Sequence, residues 1–510
     1  MHRSFGRRLL IVAAAAIAVG SAFAAPANAA LISVKMFLPD VLVGAGASAD
    51  IHPIVVGGSH YPISSRMDYE LSGDLEGVRL AAPEDNGLEC TSDGPRKLTC
   101  AATPTQPGDP FGYAEQHAVI AADPSALGGT GKLTMSLSAG SIHPVSLTVD
   151  VSVVDGVDLT AGGSSTISVK PGATFDAPLQ VHNNTDKVVH GAAVTVDAAY
   201  AFTAGKQFSN CLYLDGQSNS CVFDQDLEPG ATYEVTLPFR PRPDTYAPGK
   251  VVGDFEWLTT DDYQNLIKFL KDNGLDGPGT PGTGPKLELK RTGTVGSLAR
   301  QTDTNPADNT QSLTVNVTGK QGADLAAVGA TASGAAGTTV TLPIGVRNNG
   351  PATLELPAGN AIGVHITFPA GTEVVAEPDV AVTPGGCYQQ TGTPHVTYVC
   401  YTGEFAPFVA KTTITLKFQV KITKVIANAE GSVEVDDSFN FSKDINPANN
   451  VAKIVLNPAT GGGTGGEGGG EGLPITGPQT ALIGGAGTGL VAVGLVGFVL
   501  ARRRRTRFEA

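Results

Sequence analysis

The chain is short of the residues on which several classes of protein depend. Only 16% of its 510 residues are charged, and 34 Lys and Arg face 48 Asp and Glu, a formal charge of −14. A nucleic-acid binder needs a basic face to meet phosphates, so that class is excluded. A coiled coil or long-helix protein would be rich in Glu, Lys, Arg and Leu, which does not fit this composition. Aromatics are 6%, and Trp257 is the one tryptophan. The nine histidines are scattered, none at ligand spacing. No G-x-S-x-G, H-E-x-x-H, P-loop or dinucleotide fingerprint occurs. The sequence therefore offers no catalytic residue, metal set or cofactor motif, and reads as that of a non-enzyme.

Glycine and proline are plentiful instead, at 64 and 34. Apolar residues are 41%, enough for packed cores. At ~150 residues per domain the length suggests about three domains. Packed cores broken by many turns point to an all-β protein.

Both ends read as address labels. Arg3, Arg7 and Arg8 precede an apolar run, Leu9 to Val19, and small residues ending in Ala27-Asn28-Ala29. This is the order of a secretory signal peptide over 1–29, with cleavage expected between Ala29 and Ala30. The alternative is an uncleaved anchor. At the other end, Leu473-Pro474-Ile475-Thr476-Gly477 is followed by an apolar span over 479–501 and a basic tail over 502–510, led by Arg502, Arg503, Arg504 and Arg505. The span is long enough for a transmembrane helix, and the arginines should stay cytoplasmic.

That three-part order resembles the sorting signal of Gram-positive LPxTG cell-wall proteins. The resemblance implies that a sortase cysteine attacks the Thr476–Gly477 bond and passes the chain to a peptidoglycan amine. Its partners would be the membrane before processing, sortase transiently, and peptidoglycan covalently. Its location would be the extracellular cell-wall surface. Removing leader and tail leaves 26 basic and 47 acidic residues, a net of −21. An acidic surface repels anionic polymers and attracts divalent cations.

The six cysteines fall in three close pairs, Cys90 and Cys100, Cys211 and Cys221, Cys387 and Cys400. In an exported chain this reads as disulfides. Fifteen pairings are possible, of which one local pair per domain is the simplest. Zinc is the rival, but the spacing lacks a partnering His or a second close pair.

Other motifs recur. Gly172 to Thr185 aligns without gaps with Gly337 to Gly350, each ending in an Asn-Asn turn. Gly156-Val157-Asp158-Leu159 matches Gly322-Ala323-Asp324-Leu325. Asp303 to Asn309 matches Asp444 to Asn450 as Asp-x-Asn-Pro-Ala-x-Asn. The units are placed at 154–319 and 320–458. The first, 30–153, keeps only the cysteine pair and a loose likeness over Gly46 to Val56. It is a diverged copy or a different β domain.

Strand periodicity is clear in all three. Val145 to Val153, Tyr233 to Phe239, Val340 to Val346 and Ile414 to Ile422 each alternate apolar with polar or small residues. Period two with one apolar face means half-buried strands, and several per unit predict two-sheet sandwiches. The turns suit Asn, which tolerates left-handed φ and bonds its own backbone.

The pattern resembles the immunoglobulin-like repeats of bacterial surface proteins catalogued as domain of unknown function eleven. The residues that carry it are Asn348-Asn349-Gly350-Pro351, the cysteine pair and the Asp-x-Asn-Pro-Ala-x-Asn turn. The resemblance implies a stalk or adhesin-like module and transfers no catalytic residue. A surface ligand is left unnamed.

The second unit carries an insertion over about 256–286. Tyr263, Leu266, Ile267 and Leu270 define one helix face, with Thr259 or Thr260 as cap and Gly274 as stop. The insertion is a binding or spacing element, or a cover for an open sandwich edge that also accounts for Trp257. Residues 459–472 are a Gly-rich linker. Asp261-Asp262 suggests acid chemistry or a charged first helical turn. The Asp-x-Asn-Pro-Ala-x-Asn turns group several oxygens as a calcium loop does, but lack the bidentate Glu of an EF-hand and equally read as Asx turns. Three functions follow: a wall-anchored non-catalytic stalk, a sortase-polymerised pilin subunit, and a membrane-tethered surface protein with an unrecognised wall-directed enzyme activity. Against the pilin, His60-Tyr61-Pro62 is followed by Ile63 rather than an acceptor Lys.

Overall fold

The computed structural model describes residues 35–458, except 57–64, 84–88, 103–116, 140–141, 275–278, 292–300, 356–361, 379–385, 391–395, 403–406 and 437–443. The leader, linker, sorting motif, apolar span and basic tail lie outside the described residues. No helix among the described residues is long and apolar enough to cross a membrane.

The chain is a tandem of immunoglobulin-like β-sandwiches. In 320–458, one sheet runs Leu325–Val328, Thr339–Asn348, Thr413–Ile422, Thr372–Ala376. The facing sheet runs Ala330–Ala332, Val451–Leu456, Ala429–Asp436, Ile362–Thr367, Thr397–Thr402, Cys387–Gln390. The second unit repeats both orders: Leu159–Ala161, Phe175–Asn183, Thr232–Pro241, Phe202–Ala204 in one sheet, and Ser165–Val169, Thr310–Gln321, Ala247–Thr259, Ala192–Ala198, Gln217–Phe223, Cys211–Leu214 in the other. In each unit one short strand, Ser165–Val169 or Ala330–Ala332, runs parallel to the unit's last strand.

The first unit has the same plan. Val41–Gly44 lies parallel to Ile142–Val157, followed by Thr130–Ala139, Ser65–Asp74, Lys97–Ala102 and Glu89–Ser92. Its facing sheet is Ser48–Ile51, Ala118–Ala122, Val78–Ala81, the other units' order without the opening edge strand. The first unit is thus a third copy of the sandwich, and the likeness of Gly46 to Val56 marks a true counterpart strand.

Alternation is what makes these strands. In Thr232–Pro241, Tyr233, Val235, Leu237 and Phe239 are buried while Thr232, Glu234 and Thr236 face out. The strand Thr413–Ile422 does the same with Leu416, Phe418, Val420 and Ile422. Each unit buries its own apolar cluster, around Tyr69 and Met135, around Trp257 and Phe239, and around Phe368 and Phe418. Burying one such side chain contributes roughly 1.5–3 kcal/mol, before conformational entropy is charged against it.

The three disulfides are Cys90–Cys100, Cys211–Cys221 and Cys387–Cys400. In each the two cysteines are direct cross-strand partners on adjacent strands at one end of the larger sheet, where in the second unit Thr280–Pro281 adds one more short strand. Their Cα atoms are 4.1, 3.9 and 4.0 Å apart, as in the narrow type of antiparallel pair.

Helix α1 spans Thr260–Asp272. Thr259 Oγ1 accepts the Asp262 N–H, and Gly274 at φ +63° follows the last turn, so both predicted ends hold. The helix does not account for Trp257. Trp257 sits in the second core, 5.9 Å from Phe223 between ring centroids. The helix packs against both units: Tyr263 of the predicted face is buried with its hydroxyl 2.7 Å from Ser220 Oγ of the second, and the far end of the helix meets the first. Phe269, missed by the predicted face, is buried against Phe37 and Ile54, while Asn265 Nδ2 donates to Asp40 O and Lys268 Nζ meets Asp40 Oδ2 at 3.0 Å.

Candidate functional site at the repeat junctions

No separate linker divides the units. Strand Ile142–Val157 pairs with the first unit for most of its length, and its last three residues pair in parallel with Gln301–Asp303 of the second. Strand Thr310–Gln321 likewise leads into Gly322-Ala323-Asp324-Leu325. At that second junction Thr353 N donates to Asp244 O, and Glu355 accepts from the backbone of Tyr200 and Ala201.

The three recurring motifs converge at these junctions. In the second unit Asn184 N donates to Asp158 O (2.8 Å) and its amide to Asp158 Oδ2 (2.7 Å). Asp303 Oδ2 accepts Leu159 N–H, and its Oδ1 accepts Asn305 N–H, both at 2.8 Å. A 3-10 turn, Pro306–Asp308, follows, and Asn309 O accepts the Trp257 N–H. In the third unit Asn349 N meets Asp324 O (2.6 Å), Asp444 Oδ1 accepts Asn446 N–H (2.9 Å), Pro447–Asn449 is the turn, and Asn450 O accepts Val435 N–H. The predicted Asx turns are present, and they form a polar cap on the end of each sandwich that meets the preceding unit.

The Asn-Asn turns work differently from the expectation. Asn183 and Asn348 are fully buried, and neither has a left-handed φ. Asn183 Nδ2 donates to Lys187 O and Leu227 O while Oδ1 accepts from Thr185. Asn348 Nδ2 donates to Ala352 O and Phe408 O while Oδ1 accepts Gly350 N–H. Each is a buried amide clip holding two loops together. Gly350 is required by proximity: a Cβ there would lie 2.5–2.6 Å from Asp324 N and the Ala323 backbone.

The first junction is the tighter. Thr304 donates twice to Val157 O, and its methyl fills the space where a Cβ on either Gly44 or Gly156 would approach to 2.7 Å. Its counterpart Ile445 keeps the backbone bond to Ala323 O but is 61% exposed. The helix adds a pin: Asp262 accepts from Thr259, Thr302 and the Asp303 N–H, and Asp261 accepts Gln301 N–H.

Acid residues here are held well away from their ordinary ionisation. Burial raises Asp262, and burial lifts Glu256 to about 7 and Asp303 to about 6. Asp308 is raised by burial and then by the nearby Asp158. Asp261 and Asp262 serve the helix start and its pin, in agreement with the charged-first-turn reading. A cleft of about 150 Å³ between α1 and the first unit is lined by Phe37, Asp40, Val149, Lys268, Phe269 and Asp272. Lys268 bridges Asp40 and Asp272 there. No group of three His, Cys, Asp or Glu side chains able to hold a metal occurs among the described residues.

Of the predicted site residues, the cysteines are paired as described. Ala27, Ala29, Ala30, Leu473 to Gly477 and Arg502 to Arg505 lie outside the described residues. The buried Asn183 and Asn348 and the Thr304 wedge were not singled out as contacts, although the motifs containing them were.

No family model matches the chain, and no curated protein matches it. Among solved structures it is similar to the sixth cohesin of scaffoldin B from Acetivibrio cellulolyticus, solved with a dockerin, at 12% identity over 24% of this chain and 98% of that one, TM-score 0.19. It is also similar to a non-cellulosomal cohesin from the archaeon Archaeoglobus fulgidus (9% identity, 27% and 92% covered, TM-score 0.17). An I-band fragment from titin is matched at 8% identity, 84% and 99% covered, TM-score 0.17.

Proposed function

We propose that this is an exported, sortase-processed surface protein, held on peptidoglycan through Thr476, whose three sandwiches form a non-catalytic stalk or adhesin-like module. The observation that carries the reading is the pairing of a leader with the ordered LPITG motif, apolar span and arginine tail. The fold supports it: three disulfide-tied sandwiches in series with hydrogen-bonded junctions suit a spacer outside the cell. Asp262 and Asp303 are bound to backbone N–H groups and hydroxyls, which suits structural service better than acid chemistry. For the pilin reading, internal Lys–Asn bonds need a buried lysine, and no described lysine is buried.

The test is an intact mass of protein released from walls by muramidase. The expected chain runs from Ala30 to Thr476 with peptidoglycan fragments attached, lighter by six hydrogens for three disulfides. If muramidase releases nothing and detergent extracts a chain retaining Gly477 to Ala510, the anchoring reading is wrong. A ladder on denaturing gels would move the assignment to a pilin.

A further inference from the structure

The caps of the second and third units share their turn, and both leave buried oxygens without a partner; in the third these are Asp444 Oδ2, Asn449 Oδ1 and Asn450 Oδ1, one carboxylate and two amides. Beside the incoming strand the two caps differ in charge. Asn449 of the third donates its amide to Asp324 Oδ1 at 2.8 Å. The second unit has Asp308 and Asp158 at the matching places, so a hydrogen-bonded pair is replaced by two carboxylates. Asp158 Oδ2 and Asp308 Oδ2 are occupied by the amides of Asn184 and Asn305. Asp158 Oδ1 and Asp308 Oδ1 are both buried from solvent and have no hydrogen-bond partner. Beside them Asn309, a side chain with no exposure at all, leaves its Oδ1 unpartnered as well. Asn309 Nδ2 is unpartnered too, and the neighbouring Asp303 holds Leu159, the residue after Asp158, through its Oδ2.

Two buried carboxylate oxygens at close quarters repel unless a proton or a cation lies between them. We propose that the cap of the second unit binds one divalent cation of the calcium class through Asp158 Oδ1, Asp308 Oδ1 and Asn309 Oδ1, and that the cap of the third unit does not. A hard dication that takes carboxylate, amide and water oxygens fits this donor set. With two carboxylates and one amide the protein supplies at most half of calcium's usual ligands, and water supplies the rest. The affinity then falls with extracellular calcium modules, at about 10⁻⁴–10⁻³ M. The ion would sit where Asp158 joins the first unit to the second, and would stiffen that junction when calcium is present.

The experiment is calorimetric titration of the EDTA-treated full-length chain in detergent with calcium chloride, paired with thermal melts. Wild type is expected to bind one calcium in the stated range and to melt higher with it. Asp308→Asn copies the third unit, so it should fold, melt no lower than wild type in EDTA, and lose at least tenfold in affinity. Asn449→Asp should raise the stoichiometry from one to two. The proposal is overturned if wild type shows neither heat nor a shifted melt at calcium about tenfold above that range, or if Asp308→Asn binds as wild type does. A shared proton is the competing outcome: calcium would then have no effect, and wild-type stability would fall more steeply with rising pH than that of Asp308→Asn.

Discussion

The first unit and the other two share one strand order, yet only the latter carry the Asn-Asn and Asp-x-Asn-Pro-Ala-x-Asn motifs. The difference separates two kinds of information. Apolar alternation and a cross-strand cysteine pair suffice for the sandwich, because the first unit has little else in common with its neighbours. The polar motifs serve the end of a sandwich that receives the preceding one. Among the described residues the first unit receives none, and it lacks them.

The shared element should show the largest effect. Replacing Cys90 and Cys100, Cys211 and Cys221, or Cys387 and Cys400 by serine pairs should destabilise the affected unit by about 3 kcal/mol, nearly equally, since the loops have similar length. Chemical denaturation followed with a probe in each unit checks this. A much smaller loss in the first unit would mean that its sandwich relies on other contacts.

The motifs come next. Asn183→Ala or Asn348→Ala leaves two buried carbonyls each short of a donor, a cost of roughly 2 kcal/mol. Exchange of amide hydrogens should rise first in the loops they clip, Lys187 to Leu227 or Ala352 to Phe408. If exchange rises uniformly instead, the asparagines are ordinary core residues rather than clips. The first unit, having no such asparagine, should be unaffected by either change.

Much of this comparison could be read from the sequence, and some of it could not. Strands such as Ile414 to Ile422 were legible because one buried face imposes period two. The cysteine pairs were legible because an exported chain and short spacing leave a simple solution. The role of Asn348 was not, since a turn-forming residue and a buried clip look alike in one dimension. Phe269 fell outside the predicted helix face because its partners, Phe37 and Ile54, are more than two hundred residues away and belong to another unit. The first unit's membership was hidden for a related reason: its shared content is strand order, which only pairing reveals.

A finer contrast lies between the two junctions. Gly156→Ala should cost about 1–2 kcal/mol, because its Cβ would press on the Thr304 methyl. Thr304→Ser removes that methyl and keeps the hydroxyl bond to Val157 O, so it should restore most of the loss in the double variant. Failure of rescue would show that the glycine is needed for backbone reasons alone. The second junction, where Ile445 points out, should tolerate Ile445→Ser with no comparable change.

The smallest effect distinguishes the second unit from the third by pH. Glu256, half-buried beside the first junction, titrates near 7 chiefly because burial disfavours its charge. Its ordinary value is 4.5, so between about pH 4.5 and 7 the folded chain holds a proton that the unfolded chain has released. Stability from this group therefore increases as pH falls through 7 and levels off below 4.5. Glu256→Gln fixes the uncharged form, so the variant should match wild type at pH 4, exceed it at pH 8, and flatten the profile between. Melts across that range with a probe in the second unit make the measurement. An unchanged slope in the variant would place the burden on Asp262 or Asp303 instead.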